Sequence, residues 1–150
     1  MVLFMPRDAA SVPVSRQVLD SCLETLGVTP DTRTDIALAL GEACANVVQH
    51  AGPGFEYEVL ATARDGRCVI EVVSTVDGTE PVPAAVALGT GSADPVPATA
   101  EHGRGLKIID AVTDNLQLTG DGHDGTTVHF EKALSWLPGA AGEHLFSARS

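Results

Sequence analysis

The segment from Thr29 to Ala51 constrains the fold more than any other part of the chain. Thr29-Pro30 supplies a cap and a first-turn proline, and Gly52-Pro53-Gly54 stops whatever precedes it. Between them Ile36, Leu40, Ala43 and Val47 recur at helical spacing, which predicts a long helix with one buried stripe. Glu42, Asn46 and His50, four residues apart, fall on the shoulder of that stripe. A helix of this length needs a broad apolar surface to cover its stripe, and the rest of the chain must build it.

The material for that surface is strand-like and arrives in pairs. Tyr57–Ala63 alternates in part, Arg67–Val73 is rich in β-branched residues, and the two flank Asp65-Gly66, a hairpin turn signal. Leu116–Thr119 and Thr126–Phe130 form a second pair across the glycine-rich GDGHDG. Residues 1–5 are apolar and read as an edge strand. Ser11 and Pro13 open a helix whose apolar face is expected at Val14, Val18, Cys22 and Leu26, with Gly27 as its stop. A further helix is expected over Gly105–Val112, with Leu106, Ile109 and Val112 inward. Strands joined as hairpins, not by crossover helices, predict an α+β fold: a two-layer α/β sandwich with a mainly antiparallel or mixed sheet and helices on one face. One domain is expected over 1–134, with a long Pro- and Gly-rich segment at 79–102 inside it and a flexible tail at 135–150.

Charge narrows the partners. Twenty acidic residues oppose nine basic ones, a net charge of −11. Such a field disfavours nucleic acid and anionic membrane surfaces and attracts a basic protein. Cys22, Cys44 and Cys68 are odd in number and far apart, which reads as reduced, buried thiols of a cytoplasmic protein. The start has no signal-peptide pattern, and no apolar run reaches the length of a membrane span. His123, His129 and His144 lack metal-ligand spacing, and Ser74, Ser92 and Ser135 lack the glycines of a nucleophile elbow.

Four constellations can carry chemistry. Glu42, Asn46 and His50 place a carboxylate, an amide and an imidazole beside a core stripe, where a groove forms; a carboxylate polarises a hydroxyl and an amide oxygen is a hard ligand suited to Mg²⁺. His102-Gly103-Arg104-Gly105-Leu106 joins the long Pro- and Gly-rich segment to a helix, so backbone N–H groups face an anion. Asp77-Gly78 follows a strand, where an Asp can accept from an exocyclic amine. Gly125-Thr126-Thr127 enters the last strand. Each alone is equally a solvated helix shoulder, a flexible helix start or an ordinary turn.

In this order the four resemble one family. E-x-x-x-N-x-x-x-H-A (Glu42, Asn46, His50, Ala51), a strand ending near Asp-Gly, a variable segment, G-x-G-L and then G-T-T are similar to the GHKL superfamily of histidine-kinase-like ATPases. The length and helix-first layout resemble its anti-sigma-factor serine/threonine kinases, over roughly residues 1–134. The resemblance implies a Bergerat-type ATP-binding fold with ATP and Mg²⁺ as cofactors. It implies Glu42 as general base or orienting group and Asn46 as the Mg²⁺ ligand. The nucleotide would be held by His50, Ser74, Asp77, Gly78, Gly103, Arg104, Gly105, Leu106 and Thr126 or Thr127, and 79–102 would be the ATP lid. It implies a sigma factor and an antagonist protein as partners, and with the apolar edge at residues 1–5 it predicts a homodimer.

The sequence departs from the family at two places. The adenine box should read D-x-G-x-G, but Ser74 to Glu80 (STVDGTE) satisfies it in no alignment: Ser74 stands for the aspartate, or Thr79 and Glu80 interrupt the glycines. Losing a buried partner for adenine costs about 1–3 kcal/mol, roughly 5- to 150-fold in affinity. Glu101 stands where related kinases often carry a positive charge. Two functions follow: a regulatory kinase, or a pseudokinase of the same fold that binds partners with weak or no ATP binding.

Overall fold

The computed structural model describes residues 1–50, 56–74, 100–120 and 126–146. The chain runs β1 (Val2–Pro6), α1 (Ser11–Leu26), α2 (Pro30–His50), β2 (Glu56–Arg64), β3 (Arg67–Ser74), α3 (Ala100–Val112), β4 (Asp114–Gly120), β5 (Thr126–Ala133) and α4 (Ala141–Phe146). The strands form one five-stranded sheet in the order β1-β2-β3-β5-β4, with every neighbouring pair antiparallel. This is the expected α+β sandwich. Asp65 and Gly66 both take positive φ, 53° and 76°, the geometry of a tight hairpin turn matched to the strand twist.

One face of the sheet is the core. Tyr57, Val59 and Ala61 of β2, Cys68, Ile70 and Val72 of β3, and Val128 and Phe130 of β5 alternate inward and are buried. Against them lies α2, whose Ile36, Leu40, Ala43 and Val47 are buried as their spacing predicts. Its start is fixed by Thr29, whose carbonyl accepts from the Arg33 N–H at 3.0 Å. Lys132 of β5 reaches across to the Val112 carbonyl at the end of α3 (2.7 Å) and to Asp35 of α2 (3.1 Å), tying both helices to the sheet.

Four expectations need correction. On α1 the buried face is Ser11, Ser15, Leu19 and Leu23, one residue on from the expected stripe, and Val14 is half exposed. The reason is local: Ser11 Oγ shares a 2.6 Å hydrogen bond with Tyr57 Oη, so small hydroxyls let α1 lie close to β2. Cys22 is therefore exposed; only Cys44 and Cys68 are buried, and burial pushes both of those thiols up to about 12. The third helix begins at Ala100, not at Gly105, so Gly103 and Gly105 lie within it.

The segment after Leu134, expected to be a flexible tail, packs back onto the domain as far as Phe146. Trp136 bridges to Val28, the Leu137 N–H donates to Gly27 (2.8 Å), and the Gly66 N–H donates to Phe146 (2.6 Å). Gly142 of α4 sits against the Trp136 ring, leaving no room for a side chain. A tryptophan and paired backbone groups give this segment the contacts that its Pro and Gly content conceals.

Candidate functional site

The second half of α2 and the first turns of α3 enclose a groove of about 230 Å³, lined by Glu42, Ala45, Asn46, Gln49, Arg104, Gly105 and Ile108. The helix period explains the α2 wall: positions 42, 45, 46 and 49 fall on one face, beside the buried stripe. Asn46 is buried at 3 % exposure, and Glu42 is half-buried. Gly105 closes the opposite wall. A Cβ at that position would stand 3.0 Å from Glu42 Oε2, so glycine is what allows α3 to approach the carboxylate.

Four of the residues expected from sequence thus meet in one place: Glu42, Asn46, Arg104 and Gly105. Ser74 is buried at the end of β3 and does not line the groove. The register sets Ser74 opposite Thr126, whereas Thr127 pairs with Val73. Thr127 alternates with the fully buried Val128 and so belongs to the open face of the sheet, away from the helices. The side chain of Thr126, the other residue expected near adenine, lies outside the described residues. Leu106 packs against the hydrophobic core and is absent from the groove lining.

The remaining expectations concern residues described in part or not at all. His50 ends α2 and Gly103 lies in the first turn of α3. Asp77, Gly78 and positions 79–99 of the expected lid lie outside the described residues, as does the His50 side chain. Sequence reasoning missed Gln49, Ala45 and Ile108. Gln49 is seven residues from Glu42 and three from Asn46, a spacing that marks the same helix face.

The groove's donors are hard: an amide oxygen and a carboxylate, facing the stretch of α3 where Gly105 leaves a cradle that a Cβ would fill. That set fits a nucleotide with Mg²⁺ and does not resemble a thiolate or imidazole metal centre. Among the described residues no group of three or more His, Cys, Asp or Glu could hold a metal ion. Among them also, no helix is long and apolar enough to cross a membrane.

The chain is similar to the serine-protein kinase RsbW of Bacillus cereus (strain G9842), 27% identical over 133 residues that cover 87% of this chain and 82% of the relative. The family described as the histidine kinase-like ATPase domain matches residues 5–132, which span β1 to β5 and contain both walls of the groove. The chain therefore belongs to the histidine kinase-like ATPase domain family.

Proposed function

We propose that this protein is an ATP-dependent serine/threonine kinase of the anti-sigma type, acting in the cytoplasm, which binds a sigma factor and phosphorylates a Ser or Thr of an antagonist protein. The observation that carries this reading is the convergence of Glu42 and Asn46 on a groove closed by Gly105. Bound Mg-ATP supplies the transferable phosphoryl group and the metal charge that screens it. Asn46 offers the hard oxygen that Mg²⁺ prefers. The start of α3 offers backbone N–H groups to phosphate. Glu42, half-buried in the same groove, orients the acceptor hydroxyl and takes its proton. Ser74 and Thr126, opposite one another in the β3–β5 register, are the positions for adenine.

The partner side of the reading rests on surface. Edge strand β1 leaves Phe4 at 68 % exposure, which supports pairing with a second copy, and the net charge of −11 supports a basic docking partner. The test is transfer of labelled phosphate from ATP to a candidate antagonist protein. ATP-dependent, Mg²⁺-dependent labelling is the expected result, and its absence with a correctly folded protein removes the kinase reading.

A second reading has one observation in its favour. Ser74 stands where the family's adenine-binding aspartate is expected, and a serine keeps only part of that bond. On this reading the chain is a pseudokinase that binds partners without turnover. Mg-ATP would then leave the melting temperature unchanged, while the same partners would still be retained.

A further inference from the structure

Among the described residues two charged side chains line the α2–α3 groove, Glu42 on one wall and Arg104 on the other. Arg104 immediately precedes Gly105, whose backbone is held against Glu42 and Asn46. The base of the arginine therefore stands at the groove, and its exposed side chain is part of the lining. Among the described residues Arg33 and Arg67 hold ion pairs away from the groove, and none of these pairs involves Arg104. A polyphosphate entering this groove meets the Glu42 carboxylate within a protein of net charge −11. Among the described lining residues the one cation is Arg104, and a guanidinium matches phosphate oxygens with two parallel N–H donors.

We propose that Arg104 is the residue by which this groove distinguishes a nucleoside triphosphate from a diphosphate, its guanidinium taking the oxygens of the terminal phosphate. The inference rests on the kinase reading above and adds a specificity determinant to it. Glu42 disfavours every added negative charge, so without Arg104 the triphosphate is the more strongly penalised nucleotide. With Arg104 the terminal phosphate gains a partner that the diphosphate cannot use. Lys107, exposed on the same helix and absent from the lining, is the internal control.

The experiment is calorimetric titration of the full chain with Mg-ADP and with a non-hydrolysable Mg-ATP analogue. Arg104→Ala should weaken the triphosphate about 10- to 100-fold and change the diphosphate less than about 3-fold. Arg104→Lys should fall between, keeping charge but losing the fork, and Lys107→Ala should match wild type. The melting temperature of Arg104→Ala without nucleotide should equal that of wild type, because the side chain is exposed. An unchanged ratio of the two affinities in Arg104→Ala overturns this inference and leaves the kinase reading standing. Wild-type protein that binds neither nucleotide overturns both.

Discussion

Gly105 and Glu42 meet across the α2–α3 boundary: a Cβ on the glycine would stand 3.0 Å from Glu42 Oε2 and 3.8 Å from Asn46 Oδ1 and Nδ2. Gly105→Ala therefore sets two effects against each other. Alanine favours the helix by up to about 1 kcal/mol, while the carboxylate has to give way by a few tenths of an ångström. The expected outcome is a melting temperature close to wild type with phosphoryl transfer reduced about 10- to 100-fold, because the displaced group is the one that orients the acceptor. A scan of melting temperature alongside a transfer assay reads both.

Glu42 and Asn46 should separate in kinetics. Glu42→Ala should leave Mg-ATP binding largely intact and slow transfer about 10²- to 10⁴-fold, since it acts on the chemical step. Asn46→Ala should weaken Mg-ATP binding through loss of the metal ligand. Asn46 is also buried, so this substitution should lower stability by about 1 kcal/mol or more even without nucleotide, which the exposed face of a helix would not do. Titration with ATP in the presence and absence of Mg²⁺, together with denaturant unfolding, distinguishes the two variants.

His129 lies on the open face of the sheet between two carboxylates. Its Nδ1 is 3.3 Å from Glu71 Oε2 and its Nε2 is 2.9 Å from Glu131 Oε2. Only the imidazolium can donate to both. Burial pulls the His129 pKa down, but the hydrogen bonds to Glu131 and Glu71 and their charges outweigh it, so the value is raised above the ordinary 6.5. Stabilisation from this group is complete below 6.5 and is lost as pH rises through the raised folded value. The hydrogen bond from His129, then that from Asn115, lowers Glu131 below its ordinary 4.5, so its contribution is complete above 4.5 and fades as pH falls through the lowered value. Arg67 lies 3.8 Å from Glu131 and 3.4 Å from Asp114 at the same edge of the cluster. Melting temperature measured against pH should show a gain centred between these limits, worth below about 1 kcal/mol for so open a site. His129→Gln should flatten it, and an identical profile in that variant would rule the cluster out as its source.

The clasp formed by residues 135–146 makes a further prediction. A Cβ at Gly142 would run into the Trp136 ring and stand 2.7 Å from the Leu26 carbonyl oxygen. Gly142→Ala should cost about 1–3 kcal/mol by overpacking, a drop of roughly 2–4 °C in melting temperature per kcal/mol. Nucleotide affinity should not change, because the clasp holds Gly27, Val28 and Gly66, whereas the groove is built from the second half of α2. A matching loss of affinity would mean that the two regions are coupled.

The sequence made α2 readable because its stripe is purely aliphatic and its ends carry strong signals. The spacing on that helix put Glu42 and Asn46 side by side, and the family resemblance singled them out. The face of α1 was not readable in the same way, since Ser11 is buried through a hydroxyl partner on β2 that is 46 residues away, and Ser15 is buried one turn further along the same face. Hydropathy assigns such positions to solvent. The start of α3 was placed late because two glycines in three residues argue against helix, while packing on α2 overrides that propensity. The clasp was hidden for a similar reason: its stability comes from pairing with Gly27, Val28 and Gly66, a relationship no local pattern encodes.

The two walls of the groove differ in how firmly they are held. Ile36, Leu40, Ala43 and Val47 lock α2 into the core, so Glu42, Asn46 and Gln49 keep one fixed arrangement for as long as the protein is folded. The α3 wall has Gly103 and Gly105 near its start, where each glycine lowers the cost of unwinding a turn. An inhibitor anchored on α2 would therefore meet the same surface in every state of the protein. One that reaches for Arg104 would report, by its affinity, which state it has found.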